Sequence, residues 1–190
     1  MSSKSSIQVK LVLDEEMRNE EIINEIRKIV ENACKKETNY FGYGIWTHHI
    51  TSVVKWAKTL ARKSNADEEI VEIAALLHDY ASIVNINNYS GHHTCGAELA
   101  EEIKKHGYPQ DKIEKIKHCI VTHRSSIDLP RKTIEAKIVA SADAMSFFDN
   151  IHSLLYLAHI RHKMNIDEGV KWVLNKLEKS WKKSYRKLRK

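Results

Sequence analysis

Glycine and proline are scarce in this chain, at six and two in 190 residues. Few positions can break a helix or supply the left-handed turns of hairpins. The abundant Lys, Glu, Ala, Leu and Ile favour a mostly helical fold with little β structure. Cysteine is also sparse: Cys34, Cys95 and Cys119 are odd in number, widely spaced and form no CxxC pair. That argues against a thiolate zinc site and suits a reducing compartment. No stretch approaches the roughly 20 apolar residues of a membrane span, and the polar N-terminus has no apolar signal core behind it. The expected location is cytoplasmic. Low-complexity tracts and internal repeats are absent as well.

What is present is a soluble globular balance, 42% hydrophobic and 29% charged, in a chain long enough for one well-filled domain. The net charge of +6 is unevenly spread. Residues 171–190 carry nine Lys or Arg and one acid, so the tail holds +8 and the rest of the chain −2. Basicity is a property of the tail, not of the body.

Apolar periodicity predicts seven or eight helices joined by short loops. Residues 7–13 alternate apolar and polar, which predicts a short strand or an extended arm within an N-terminal segment 1–14. A single helical domain over 15–190 follows. Ile22, Ile23, Ile26, Ile29, Val30 and Ala33 mark a helix over 15–36, ahead of a Gly- and Tyr-containing loop at 38–44. A helix over 46–64 turns Ile50, Val53, Val54, Ala57, Leu60 and Ala61 inward. Asp67 is placed to cap the next helix, residues 82–91 are loop-like, and residues 94–106 form an amphipathic helix ended by Gly107. Further helices are expected over 111–123, from near Thr133, over 151–163 and over 167–189. Val170, Val173, Leu177, Trp181 and Leu188 form the apolar stripe of the last and basic one.

The helix after Asp67 carries the most informative feature. The run Ile70-Val71-Glu72-Ile73-Ala74-Ala75-Leu76-Leu77 ends in His78-Asp79. A carboxylate in such company needs compensation, because burying it unpaired costs several kcal/mol, roughly. Asp143 meets the same problem in Val139-Ala140-Ser141-Ala142-Asp143-Ala144-Met145. His49 lies one turn before Val53 and two before Ala57, so its imidazole projects from the buried stripe. Two imidazoles and two carboxylates from three helices make a mixed nitrogen and oxygen shell that suits a divalent metal with open positions. Each group also has a structural reading, as a packed histidine, a cap or an ion-pair partner; their joint arrangement favours the metal. His123 falls near the apolar side of its helix, whereas His118 points to the other side and is expected in solvent. His92 and His93 precede the 94–106 helix, whose N-terminus would attract phosphate. His152, His159 and His162 show no comparable setting.

The ordered segments His49-Ile-Thr-Ser-Val53-Val-Lys-Trp-Ala57, Ala74-Ala-Leu-Leu-His78-Asp79 and Ala136-Lys-Ile-Val-Ala-Ser-Ala-Asp143 resemble the H…HD…D pattern of the HD-domain superfamily, helical metal-dependent phosphohydrolases. His92-His-Thr-Cys-Gly96-Ala97 and Ile120-Val-Thr-His123-Arg124 resemble further positions of the same superfamily. The likeness spans roughly residues 45–150. It implies an all-α, HD-type bundle with His49, His78, Asp79 and Asp143 as ligands of one divalent ion (Mn, Fe, Co, Ni, Zn or Mg). His92 and His123 would serve a second ion or the substrate phosphate. His48 competes with His49 for the first position; the spacing to Val53 and Ala57 favours His49. Residues 80–97 lack any Asp or Glu, so the acid that some relatives use as a proton shuttle is missing there.

The expected activity is hydrolysis of a nucleotide or other small phosphorylated metabolite through a metal-activated water, with Arg124 as a candidate phosphate clamp. Tyr40, Tyr43 and Trp46 are candidates to stack on a base. Two alternatives stand beside this: a di-iron oxygenase of the same superfamily, and a module that binds nucleic acid or a partner through the basic helix. The second is less favoured, because such a helix usually docks by its apolar face.

Overall fold

The computed structural model describes residues 3–88, 100, 108–124 and 129–184, and it is all-α, with no strand among them. Helix α1 (Ser3–Lys35) is continuous. Residues 7–13 are therefore helical rather than a strand or an extended arm. Four alternating positions are outweighed by a helix of 33 residues without a glycine or proline, through which helical structure, once nucleated, propagates. Ile22, Ile26, Val30, Ala33 and Cys34 form its buried stripe, and Ile29 lies outside it, exposed.

After α1 the buried Asn39 shapes the 38–44 loop. Its amide donates to the Cys34 and Gly42 carbonyls (2.9 and 3.1 Å), and its Oδ1 accepts from the Phe41 N–H (3.0 Å). Gly42 sits at φ +73°, where a side chain would be strained. A π-helical turn, Trp46–Ile50, then leads into α2 (Thr51–Ser64). The six expected residues, from Ile50 to Ala61, are all buried. Asn65, at φ 52°, closes α2 in the left-handed conformation.

Asp67 Oδ1 accepts from the Glu69 and Ile70 N–H groups (3.1 and 3.2 Å) and so starts α3 (Glu68–Leu77), as its position predicts. Every residue from Ile70 to Leu77 is buried, which makes α3 the central helix, packed by α1, α2 and two later helices. The acid inside it, Glu72, is paired with Arg27 of α1 and Lys58 of α2. The next segment is not a loop throughout. The Asp79 carbonyl accepts from the Ser82 and Ile83 N–H groups (3.0 and 3.1 Å), opening α4 (Tyr80–Val84), with a 3-10 turn at Ile86–Asn88. Of the helix expected over 94–106 only Ala100 is described, helical and buried in the core; His92, His93 and Cys95 lie outside the described residues.

Helices α5 (Gln110–Thr122) and α6 (Ile134–Asp149) complete the main core. Thr133 caps α6 by accepting from the Ala136 N–H at 3.1 Å. His118 lies on the outer side of α5 as expected, half-buried, and its Nε2 accepts the Lys132 N–H at 3.0 Å. Past α6 come α7 (Ile151–Tyr156), a second π-helical turn Leu157–Arg161, and α8 (Ile166–Lys183). Asn165 and Glu168 start α8 as a reciprocal capping box. This hairpin has its own small core of Leu154, Ala158 and Val173, flanked by Phe147, Met164, Trp172 and Leu177. On α8 only part of the predicted stripe is covered: Val170 and Trp181 are exposed, and Leu188 lies outside the described residues. No described helix is long and apolar enough to cross a membrane.

Candidate metal centre

Three elements converge on one buried point. The first π-helical turn presents His49, a backbone irregularity that often accompanies functional sites. The C-terminal end of α3 presents His78 and Asp79, and α6 presents Asp143. His49 Nε2 lies 3.2 Å from His78 Nε2, and Asp79 Oδ2 lies 3.4 Å from each of these nitrogens. The three atoms form a nearly equilateral triangle. Asp143 Oδ1 joins it through His49, at 3.6 Å from Nε2. His48, the competing first ligand, is exposed and packs its ring edge-on against His152, with centroids 4.6 Å apart.

Hydrogen bonds on the far side of each ring fix what these nitrogens offer. His78 Nδ1 is 2.7 Å from the Ala75 carbonyl, which can only accept, so Nδ1 carries a proton. Ser146 Oγ donates to the Asp143 carbonyl at 2.8 Å and therefore accepts from His49 Nδ1 at 3.0 Å. In the neutral rings both Nε2 atoms then present lone pairs, to each other and to a carboxylate. That cluster is repulsive unless a cation enters it. Burial alone would push the His78 imidazolium pKa down, but the Asp79 and Asp143 carboxylates and the Ala75 carbonyl outweigh it and raise the pKa to about 9. Without a metal, a proton takes the cation's place.

The donor set fits a divalent ion. At ligand distances of about 2.1 Å, neighbouring donors in tetrahedral or octahedral shells lie about 3.0–3.4 Å apart, and the triangle has those edges. The exposed flank of the triangle opens into a cavity of about 1330 Å³. Glu72 provides the contrast: it is a buried acid neutralised by ammonium and guanidinium, whereas Asp79 and Asp143 face imidazole.

His123 ends α5 beside this group. Its Nδ1 is 2.6 Å from the Ile120 carbonyl, and its Nε2 is 3.8 Å from Asp79 Oδ1, beyond hydrogen-bond reach. Arg131 pins this helix end through the Thr122 and Arg124 carbonyls (3.0 and 3.3 Å), and Arg124 lines the cavity.

A family model described as HD domain matches residues 46–147. The chain belongs to the HD-domain family. Among solved structures, the chain is similar to a predicted HD superfamily hydrolase from an uncultured Thermotogales bacterium. The identity is 22%, with 82% of this chain and 84% of that one covered and a TM-score of 0.58. It is also similar to Bacillus subtilis YpgQ at 20% identity, with 86% and 92% covered and a TM-score of 0.47. YpgQ in complex with ADP matches at 20% identity, with 87% and 92% covered and a TM-score of 0.49.

Within this HD fold, His49, His78, Asp79 and Asp143 come together as the H…HD…D order predicts, and His123 and Arg124 stand at the same cavity. His92 lies outside the described residues. Tyr40 and Tyr43 line the cavity but are engaged elsewhere: the Tyr40 hydroxyl donates to the Arg161 carbonyl (3.1 Å), and the Tyr43 hydroxyl to Glu31 (3.0 Å). Trp46 is buried in the core. Sequence reasoning missed Ser146 and Phe147. Phe147 stacks on His49, with ring centroids 5.0 Å apart and planes 15° from parallel. Ser146 was detectable as the residue one turn beyond Asp143 on the same helix face; Phe147 carried no such signal.

Proposed function

We propose that this HD-domain protein is a metal-dependent phosphohydrolase acting on a nucleotide or other small phosphorylated metabolite. The observation that carries this reading is the His49–His78–Asp79 triangle, with the outer nitrogens of both rings already committed to Ser146 and Ala75. His49, His78, Asp79 and Asp143 would hold one divalent ion. When bound, such an ion supplies a Lewis acid and lowers the pKa of a water toward roughly 7. The chain's own residues do the rest. The ligand side chains sit in a mostly buried wall that keeps them ordered, while the cavity admits substrate from one side. Arg124, on the pinned end of α5, clamps phosphoryl oxygens, and His123 orients them from beside Asp79.

The test is turnover of a phosphatase and nucleotide panel by purified protein supplied with Mn, Co, Ni, Zn or Mg. Activity that disappears in His78→Ala and Asp79→Ala supports the reading, and activity unchanged in both overturns it. A second reading, a di-iron oxygenase, draws on the 3.8 Å gap between His123 Nε2 and Asp79 Oδ1, which leaves room for a second ion. Two irons per chain with an oxygen-dependent spectrum would select it. Nucleic-acid binding through the basic helix is less favoured, because Val173 and Leu177 dock that helix on the hairpin core.

A further inference from the structure

The family match ends at residue 147, yet much of the cavity wall comes from beyond it. The α7–α8 hairpin contributes His152, Tyr156, His162, Trp172, Lys176 and Lys179. We infer that Lys176 and Lys179 form a second anion subsite, which makes this chain selective for substrates that carry a second phosphate group besides the one at the metal centre. This inference rests on the phosphohydrolase reading above.

Four observations carry it. The two lysines are three residues apart on α8 and both line the cavity, as i and i+3 neighbours on one helix face must. Neither has a carboxylate within ion-pair distance among the described residues. Both ammonium groups are thus available to an anion, unlike Lys35, Lys58, Lys112 and Lys117, which are held by Glu31, Glu72, Glu69 and Glu114; many surface lysines are equally unpaired, and what sets these two apart is their place in the cavity wall. Among the described residues the lining holds two acids, Asp79 and Asp143, and both stand at the candidate metal centre. The subsite is also tied to that centre: Lys176 Nζ lies over the Phe147 ring, 5.0 Å from its centroid, and Phe147 stacks on His49. Phe147 thus links the Lys176 ammonium to a residue of the metal centre through two ring contacts, and both lie on the same cavity. A cavity of about 1330 Å³ leaves room for both anions and the group joining them.

The experiment is equilibrium binding to the full chain, both saturated with Mn and chelator-treated, using matched pairs: AMP with ADP, and fructose 6-phosphate with fructose 1,6-bisphosphate. The wild type is expected to bind at least one bisphosphorylated member about tenfold more tightly than its partner. K176M/K179M, which keeps the apolar stems, is expected to abolish that preference while leaving the monophosphates within about twofold. The responding pair tells a nucleoside diphosphate from a sugar bisphosphate. No preference in the wild type overturns the inference, as does a parallel loss for both members of a pair. If the double variant fails to fold, K179M alone, at an exposed position, must reduce the preference or the inference falls. Because the readout needs no turnover, an inactive protein with an intact preference would count against the phosphohydrolase reading and not against the subsite.

Discussion

His49 Nε2 faces His78 Nε2 at 3.2 Å although both rings have already given their Nδ1 protons to other partners, Ser146 Oγ and the Ala75 carbonyl. Were both rings neutral and no cation present, lone pair would face lone pair beside the Asp79 carboxylate, an arrangement that folding alone would not favour. Its natural complement is a cation.

Metal should therefore stabilise the fold. An ion at 100 times its dissociation constant adds about 2.7 kcal/mol. For a chain of this size that raises the Tm by roughly 5–10 °C. Thermal melts of chelated protein with and without added divalent metal measure the shift, and superimposable melts would speak against the site.

Removing an acid should have different consequences at two places. Glu72→Ala strands Arg27 and Lys58 beside a buried gap and is expected to cost about 2–3 kcal/mol in urea unfolding, with metal affinity unchanged. Asp143→Asn removes one of the carboxylates that hold the His78 imidazolium in the metal-free protein, so stability near neutral pH should fall, but by less than in Glu72→Ala, while metal binding weakens. Equal destabilisation by both substitutions would mean that Asp143 is a structural acid like Glu72.

Ser146 acts through His49. Its hydroxyl relays between the Asp143 carbonyl and His49 Nδ1, so Ser146→Ala frees the ring to rotate or change tautomer. Metal affinity is expected to fall about 10–100-fold with the fold retained. Metal titration monitored by competition with a chelating dye checks this, and an unchanged affinity would remove Ser146 from the account.

The two described cysteines should be silent. Burial, with help from Glu31 and Asp79, pushes the Cys34 thiol up to about 12, and burial beside Glu135 pushes Cys119 up as well. Both should resist alkylation at pH 8 in the folded protein and react once urea unfolds it, as peptide mass spectrometry would show. A thiol pKa raised by folding contributes stability that is complete below the unfolded value near 9 and is lost as pH climbs through the folded one. Urea stability should thus decline above pH 9, and Cys34→Ala should lessen that decline.

Much of this was legible in the sequence. The α2 stripe, the Asp67 cap and the inward His49, His78, Asp79 and Asp143 follow from 3.6-residue periodicity and from the difficulty of burying a carboxylate in an apolar run. Periodicity misled at residues 7–13, where four alternating positions were too few to outweigh helix propagation. It also failed for Val170 and Trp181, because amphipathic spacing marks a face and not whether a neighbour covers it. The Asp79-capped α4 was hidden because a backbone carbonyl, not a side chain, starts it. Lys176, Lys179 and Trp172 could not be placed at the cavity from sequence, since only the docking of the C-terminal hairpin brings them there.

Anomalous diffraction from crystals soaked in Mn would show whether an ion occupies the triangle. The expected result is a single strong peak about 2.1 Å from His49 Nε2, His78 Nε2 and an Asp79 oxygen, absent in Asp79→Ala. An empty triangle in the wild type at saturating metal, with Asp79 turned to an ordinary ion pair, would contradict it.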